Sequence, residues 1–257
     1  MIKYMLNDFY EHINSFTYRG RNSLDFGLVV ESKTGVYGAP VPIVETVRVP
    51  GRGTLILNNK VDPLDNEEYE DIEIRFTCHV LPDPEQDLHI LARKIYAWLY
   101  GSVEFARLED TYEPNYYREA YIGQQSSVED VAAALAGKIE IPFTCRAFKR
   151  HVAGDEVITL TAAGTIFNHE QYTSKPAVTL YGSGSAVLYI NDRQISITGI
   201  DGHITLDSEL FEAHKDGTRQ NTALTSQVFP RLVSGANAVS WAGNVTRVEI
   251  IPRWVSL

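Results

Sequence analysis

The feature that most constrains this chain is a period-two alternation of apolar and polar residues, repeated in short runs between turn residues. Residues 159–161, 177–181, 186–190, 194–198 and 245–251 are rich in β-branched and aromatic side chains, which suit a half-buried pleated surface. Gly182-Ser183-Gly184, Asn191-Asp192-Arg193 and Asp201-Gly202 separate the runs. Gly, Asn and Asp tolerate the positive φ of tight turns, so these are expected hairpin connections. Several short strands at this spacing, from about residue 157 onward, predict a β-sandwich.

The first half mixes strands with one helix. Asp83 is the expected N-cap, Pro84 the first helical residue, and Glu85 and Asp87 place negative charge in the first turn. Leu88, Leu91, Ile95, Trp98 and Leu99 then form one apolar stripe, and Gly101 stops the helix, giving a span of about 84–100. A shorter helix is expected around Val128 to Leu135, capped by Ser127. The heptads 72–78 and 139–145 match at all but one position, Arg75 against Pro142. They read as two similar strands, neighbours in one sheet, with Pro142 at an edge or bulge because it lacks an N–H. The charged, Gly-containing stretch 150–156 is the expected linker between domains 1–150 and 151–257. The fold class is mainly β: an α+β N-terminal domain with one clear helix, then a C-terminal β-sandwich.

The chemistry excluded is broad. The 257 residues carry 23 Lys plus Arg against 33 Asp plus Glu, a net charge of −10, which argues against a protein built to grip phosphates. At 44% hydrophobic and 22% charged the chain is a folding sequence. No basic start followed by an apolar run marks a targeting signal, and no run of about 18–20 apolar residues marks a spanning helix, so synthesis in a cytoplasm without membrane insertion is expected. Nucleophile-elbow, P-loop, dinucleotide and zinc-protease motifs are absent.

No catalytic, cofactor or metal residues are therefore predicted. His12, His79, His89, His151, His169, His203 and His214 show no ligand spacing. Cys78 and Cys145 sit at matching places in the twin heptads and read as small core residues. Asp62, Asp65, Glu67, Glu68, Glu70 and Asp71 form one acidic cluster, and Glu109, Asp110 and Glu113 another. Paired carboxylates hydrolyse glycosides, but loop clusters are expected to be solvated faces. Tyr112, Tyr116, Tyr117 and Tyr121, with Arg118, make an aromatic segment that either packs on a strand face or stacks sugars.

Several ordered elements resemble the distal tail protein (Dit) family of long non-contractile-tailed phages and prophages. These are Phe16-Thr17-Tyr18-Arg19-Gly20, then Ser23-Leu24-Asp25-Phe26-Gly27-Leu28, then Val49-Pro50-Gly51-Arg52 followed by Gly53-Thr54-Leu55. The helix end Trp98-Leu99-Tyr100-Gly101, Leu108-Glu109-Asp110 and the strand exit Phe143-Thr144-Cys145 follow in order. Many relatives carry a Pro soon after that Cys, where this chain has Ala147-Phe148. In the second half, 176–184, 204–209, Phe229-Pro230-Arg231-Leu232, 235–239 and 248–254 are similar to the family's galectin-like sandwich.

The resemblance implies a structural hub of the tail tip and no enzyme. Six copies would form a ring, with N-terminal domains around a central passage and C-terminal domains projecting outward. The implied partners are the tail tube protein above, the tail-associated protein below, and a receptor-binding or adsorption protein outside. DNA would pass without specific binding, at the distal end of the virion tail. Acidic residues lining the passage would let it slide. Val49, Pro50, Gly51 and Arg52 are the candidate ring contact, against the plainer reading of a Pro-Gly turn. The alternative function is a glycan-binding, lectin-like module for host-surface attachment, resting on the galectin-like sandwich and the Tyr-rich segment. The C-terminal half offers chiefly Trp241, Trp254, Tyr181 and Tyr189, of which Tyr189 is expected buried and Trp254 in a core or interface.

Overall fold

The computed structural model describes residues 13–35, 40–57, 60–81, 87–123, 131, 138–225 and 228–257. In chain order the strands are β1 (Phe16–Tyr18), β2 (Arg21–Asn22), β3 (Leu28–Thr34), β4 (Glu45–Val49), β5 (Gly53–Leu57) and β6 (Ile72–Val80). Helix α1 (Leu88–Tyr100) follows, then β7 (Ala106–Asp110), β8 (Tyr116–Tyr121), β9 (Lys138–Cys145) and β10 (Lys149–His151). The remainder is β11 (Ile158–Leu160), β12 (Gly164–Asn168), β13 (Ala177–Ile190), β14 (Arg193–Asp207), β15 (Glu212–Lys215), β16 (Thr218–Arg219), β17 (Gly235–Ile251) and β18 (Val255–Ser256). The fold is mainly β with a small helical part.

The chain divides into two compact units. One comprises Met1–Pro42, Tyr69–Lys149 and Leu257; the other comprises Ile43–Glu68 and Arg150–Ser256. The boundary at Lys149 and Arg150 falls beside the linker read from the sequence. Residues Ile43–Glu68, which a linear split keeps with the first half, group with the second unit.

The first unit is an antiparallel sheet in the order β2-β1-β7-β8-β9-β6-β3. The twin heptads are neighbours, as expected: Ile72 pairs with Cys145, Ile74 with Phe143, Phe76 with Ile141 and Cys78 with Ile139. Alternate residues share a face, so this register stacks buried side chains in cross-strand pairs. The β8 ladder reaches β9 only at Cys145 and Thr144. Pro142 pairs with Arg75 on β6 but has no partner on β8, so it sits where β9 carries a ladder on one side only.

Helix α1 covers this core with Leu91, Ala92, Ile95, Trp98 and Leu99. Its start differs from the sequence reading. Asp87, expected inside the first turn, is the N-cap: its backbone is extended and its carboxylate accepts from the His89 and Ile90 amides at 2.7 and 3.4 Å. A carboxylate that satisfies two orphan amides fixes the helix end there. Asp83-Pro84-Glu85 and most of the shorter helix expected near 128–135 lie outside the described residues.

The opening elements Phe16–Tyr18 and Ser23–Phe26 build this core. Phe16 stacks on Phe76 at 4.8 Å, and Phe26 stacks on Trp98 at 4.3 Å. Ser23–Phe26 is one 3-10 turn with a capping box: Asn22 accepts from Leu24, and Asp25 accepts from the Asn22 amide at 3.0 Å.

In the second unit β11, β17, β13, β14, β15 and β16 form one antiparallel sheet, with β12 also on β17. Asn191-Asp192 is a true hairpin turn, since Ile190 pairs with Arg193. Gly182-Ser183-Gly184 and Asp201-Gly202 are not turns: they lie inside β13 and β14, where the ladder is interrupted by a register shift. The cause is steric. A Cβ on Gly182 would stand 2.1 Å from the Asn244 carbonyl oxygen, so glycine is what lets β13 and β17 approach while they bend. Both halves of the long strands then contribute to one core, with Val178, Leu180, Leu188, Ile190, Ile195, Ile204, Val239 and Val248.

Candidate functional site

Strands β4 and β5 form a separate two-stranded ribbon. Its turn is fixed locally. The Arg52 amide donates to the Val49 carbonyl at 3.0 Å, Pro50 holds the second turn position, and Gly51 has φ +79°. That is the geometry in which Pro and Gly are each the favoured residue. Pro50, Gly51 and Arg52 are exposed and Val49 is half-buried.

The register places Val47 beside Leu55 and Glu45 beside Leu57 on one face, with Thr46 beside Ile56 and Arg48 beside Thr54 on the other. Val47, Leu55 and Leu57 are each 43% exposed, and Ile56 is 72% exposed. An isolated two-stranded ribbon is marginal in water, and exposed clusters of large apolar residues mark contact surfaces. The tip picked out from the sequence is thus the end of a larger apolar feature, whose strands the period-two reading passed over.

The ribbon's root is held by charge. After β5 the chain runs through Asp62, Asp65 and Asn66. Asp62 takes both terminal nitrogens of Arg193, with Nη2 to Oδ1 at 2.7 Å. Asp65 accepts from Arg231 Nε at 2.5 Å, and the Arg231 side chain is fully buried. Asn66 and the Thr173 backbone exchange two hydrogen bonds at 2.7 and 2.9 Å. The Arg193 guanidinium holds the Asp62 carboxyl down to about 2, and Asp62 in turn raises the arginine. Two members of the acidic cluster are therefore ion-pair partners rather than a solvated face. Sequence reasoning missed them because their arginines lie 131 and 166 residues away.

The second acidic cluster also differs from its expected role. Asp110 and Glu113 both pair with Lys33, whose side chain is 3% exposed, and Glu113 also pairs with Lys149 at 2.6 Å. Burial pushes Glu113 up, but the Lys149 hydrogen bond and the Lys33 charge outweigh it and leave it lowered. Carboxylates held this way serve as counter-ions. Arg118 nearby is buried and donates to the Arg146 and Ala147 carbonyls at 3.2 and 2.5 Å.

Most of the rings proposed for sugar stacking are engaged, whereas Tyr112 is 41% exposed. Arg107 lies 3.8 Å over Tyr117, Lys149 lies 4.7 Å over Tyr116, and Phe105 meets Tyr121 edge-on. In the second unit Arg247 sits 3.5 Å over Tyr181, whose hydroxyl donates to Glu249 at 2.9 Å. Trp254 is buried, and Trp241 donates its indole N–H to the Val245 carbonyl at 3.1 Å. Tyr189 is half-buried. A sugar would have to displace these partners to stack.

Among the described residues no group of three or more His, Cys, Asp or Glu is placed to hold a metal ion. Cys78 and Cys145 are buried free thiols, both pushed up to about 12 by burial. No helix among the described residues is long and apolar enough to cross a membrane.

Fold and ribbon together define a class: a two-unit, antiparallel-β protein with an exposed hairpin and, among the described residues, no cluster of metal-ligating side chains. Among solved structures, this chain has the fold of the Dit protein of SPP1, described as a paradigm of the hub adsorption apparatus in phages that infect Gram-positive bacteria. The TM-score is 0.66 at 15% identity, over 95% of this chain and 100% of that one. The baseplate of phage p2 in its activated conformation, with strontium and with calcium, gives TM-scores of 0.47 at 7% and 8% identity over 93% of this chain. No protein-family model and no curated protein matches the sequence.

Proposed function

We propose that this chain is a structural hub of a phage tail tip. Six copies close into a ring that joins the tail tube protein to the tail-associated protein and to the adsorption apparatus. Residues 1–150 supply the ring, the hairpin among them although Ile43–Glu68 groups with the second unit, and residues 151–257 form a galectin-like domain that projects outward. Part of the acidic excess lines the passage, so that DNA slides through without specific binding. The observation that carries this reading is the hairpin: a two-stranded ribbon with Val47, Leu55 and Leu57 exposed on one face has its natural cover in another copy. A closed ring covers every such face without leaving an end. The fold shared with a hub protein over nearly the whole chain supports the same reading.

The test is light scattering with electron microscopy of the purified chain and of its complex with the tail tube protein. A six-fold ring is expected. Arg52→Glu and Leu55→Asp are expected to block ring formation while leaving circular dichroism unchanged. A chain that stays monomeric with every neighbouring tail protein overturns the proposal.

A further inference from the structure

The hairpin can serve as a contact only if it is held in one pose, and its own ten residues do not hold it. Every residue of the ribbon except Val49 is exposed. The ordering must come from its ends. At the N-terminal end, Ile43 donates its amide to the Glu68 carbonyl at 2.8 Å, which brings the two ends of the segment together. At the C-terminal end stand the two ion pairs and the asparagine pair described above, all made to residues beyond 170.

These contacts are built for rigidity. Leu64 donates its amide to Asp62 Oδ1 at 2.9 Å, and the Asp65 amide donates to the Asp62 carbonyl at 2.9 Å, so residues 62–65 form a hydrogen-bonded turn. Arg193 is also tied to the Phe229 carbonyl at 3.3 Å, and Arg231 to the Pro230 carbonyl at 2.9 Å. Arg231 lies 5.3 Å from the Phe211 ring. Both guanidiniums thus hold main-chain carbonyls as well as their aspartates, and Arg193 grips Asp62 with both terminal nitrogens, a forked hold that lysine could not reproduce.

We infer that Asp62, Asp65, Arg193 and Arg231 are positioning residues of the assembly hairpin. The clamp transmits the order of the second core to the ribbon, so assembly depends on residues that touch no neighbour. This inference rests on the hairpin being the contact. It adds that the contact is competent only while the clamp is closed.

Amide hydrogen exchange and ring formation test it on the full chain. Asp62 and Arg193 are the pair to change, because Arg231 is fully buried and its loss would threaten the fold. Arg193→Asp should speed exchange across residues 45–57 by about tenfold or more and reduce ring yield. Exchange of residues 177–181 should stay slow, which shows an intact core. The double variant Asp62→Arg with Arg193→Asp restores opposite charges and should recover both protection and rings. Unchanged hairpin exchange in Arg193→Asp, or failure of the double variant to recover despite a protected core, overturns the inference. If the single variant loosens the hairpin while Leu55→Asp leaves assembly untouched, the clamp stands and the hairpin-contact reading falls instead.

Discussion

Trp98 on α1 donates its indole N–H to the backbone carbonyl of Tyr18 on β1 at 2.8 Å, across 80 positions of sequence. The same ring stacks on Phe26 at 4.3 Å and on Phe16 at 5.6 Å. One side chain thus ties the helix to β1 and to the 3-10 turn Ser23–Phe26. Trp98→Phe keeps most of the apolar surface but leaves the buried Tyr18 carbonyl without its donor. The expected cost is about 2 kcal/mol, from the lost bond and the smaller ring. Urea denaturation of the first unit should show a lower midpoint with an unchanged slope.

Thiol chemistry reports on the same core. Cys78 and Cys145 are fully buried, and burial pushes both thiols up to about 12. The thiolate is the reactive form, so neither should react with Ellman's reagent at pH 8 in the native protein. Both should react fully in guanidinium. Fast labelling of either native thiol would contradict the placement of β6 and β9.

These residues also mark how far the sequence is legible. The α1 stripe and the β6–β9 twins can be read directly, because each is a local periodicity of apolar side chains. The start of α1 is misread because Asp83 and Asp87 are both plausible caps, and the choice depends on which carboxylate meets free amides. Gly182-Ser183-Gly184 reads as a turn because glycine permits either a turn or a close strand approach; only the proximity of Asn244 separates the two. The clamp has no local signal. Asp62 and Asp65 look like any solvated acids until Arg193 and Arg231 arrive from far along the chain. The hairpin tip is visible as Pro-Gly, but the apolar face behind it needs the register of Val47 against Leu55.

Acid should weaken the clamp before it unfolds the cores. Asp62 is held at about 2 against an ordinary 3.8 by its hydrogen bonds from Arg193. A carboxylate whose folded pKa is depressed takes up a proton more readily when released, so its contribution is complete above the ordinary value and fades as pH falls toward the folded one. With partial solvent screening the contribution is about 1–2 kcal/mol. Hairpin exchange in residues 45–57, corrected for the intrinsic pH dependence of exchange, should therefore rise relative to residues 177–181 between about pH 4 and pH 2. Asp62→Asn, which cannot titrate, should exchange faster at pH 7 and lose that pH dependence. A wild-type hairpin whose relative protection is flat across this range would refute the ion pair's role.

Gly182 and Gly184 separate two reasons for glycine within one strand. A Cβ at Gly182 would lie 2.1 Å from the Asn244 carbonyl oxygen and 2.9 Å from the Val245 Cα. Neither is a flexible side-chain tip; both belong to the neighbouring β17 backbone, and the two strands would have to part. At Gly184 nothing lies within 4 Å, but φ is +76°. There an alanine pays only the left-handed backbone penalty, about 1 kcal/mol. Gly182→Ala should cost more, about 3 kcal/mol, because the clash is with main chain at the bend that lets both halves of β13 reach one core. Thermal unfolding of the two variants side by side checks this order. Equal losses would mean that β13 and β17 do not approach as closely as the bend requires, and the long-strand architecture of the second unit would need redrawing.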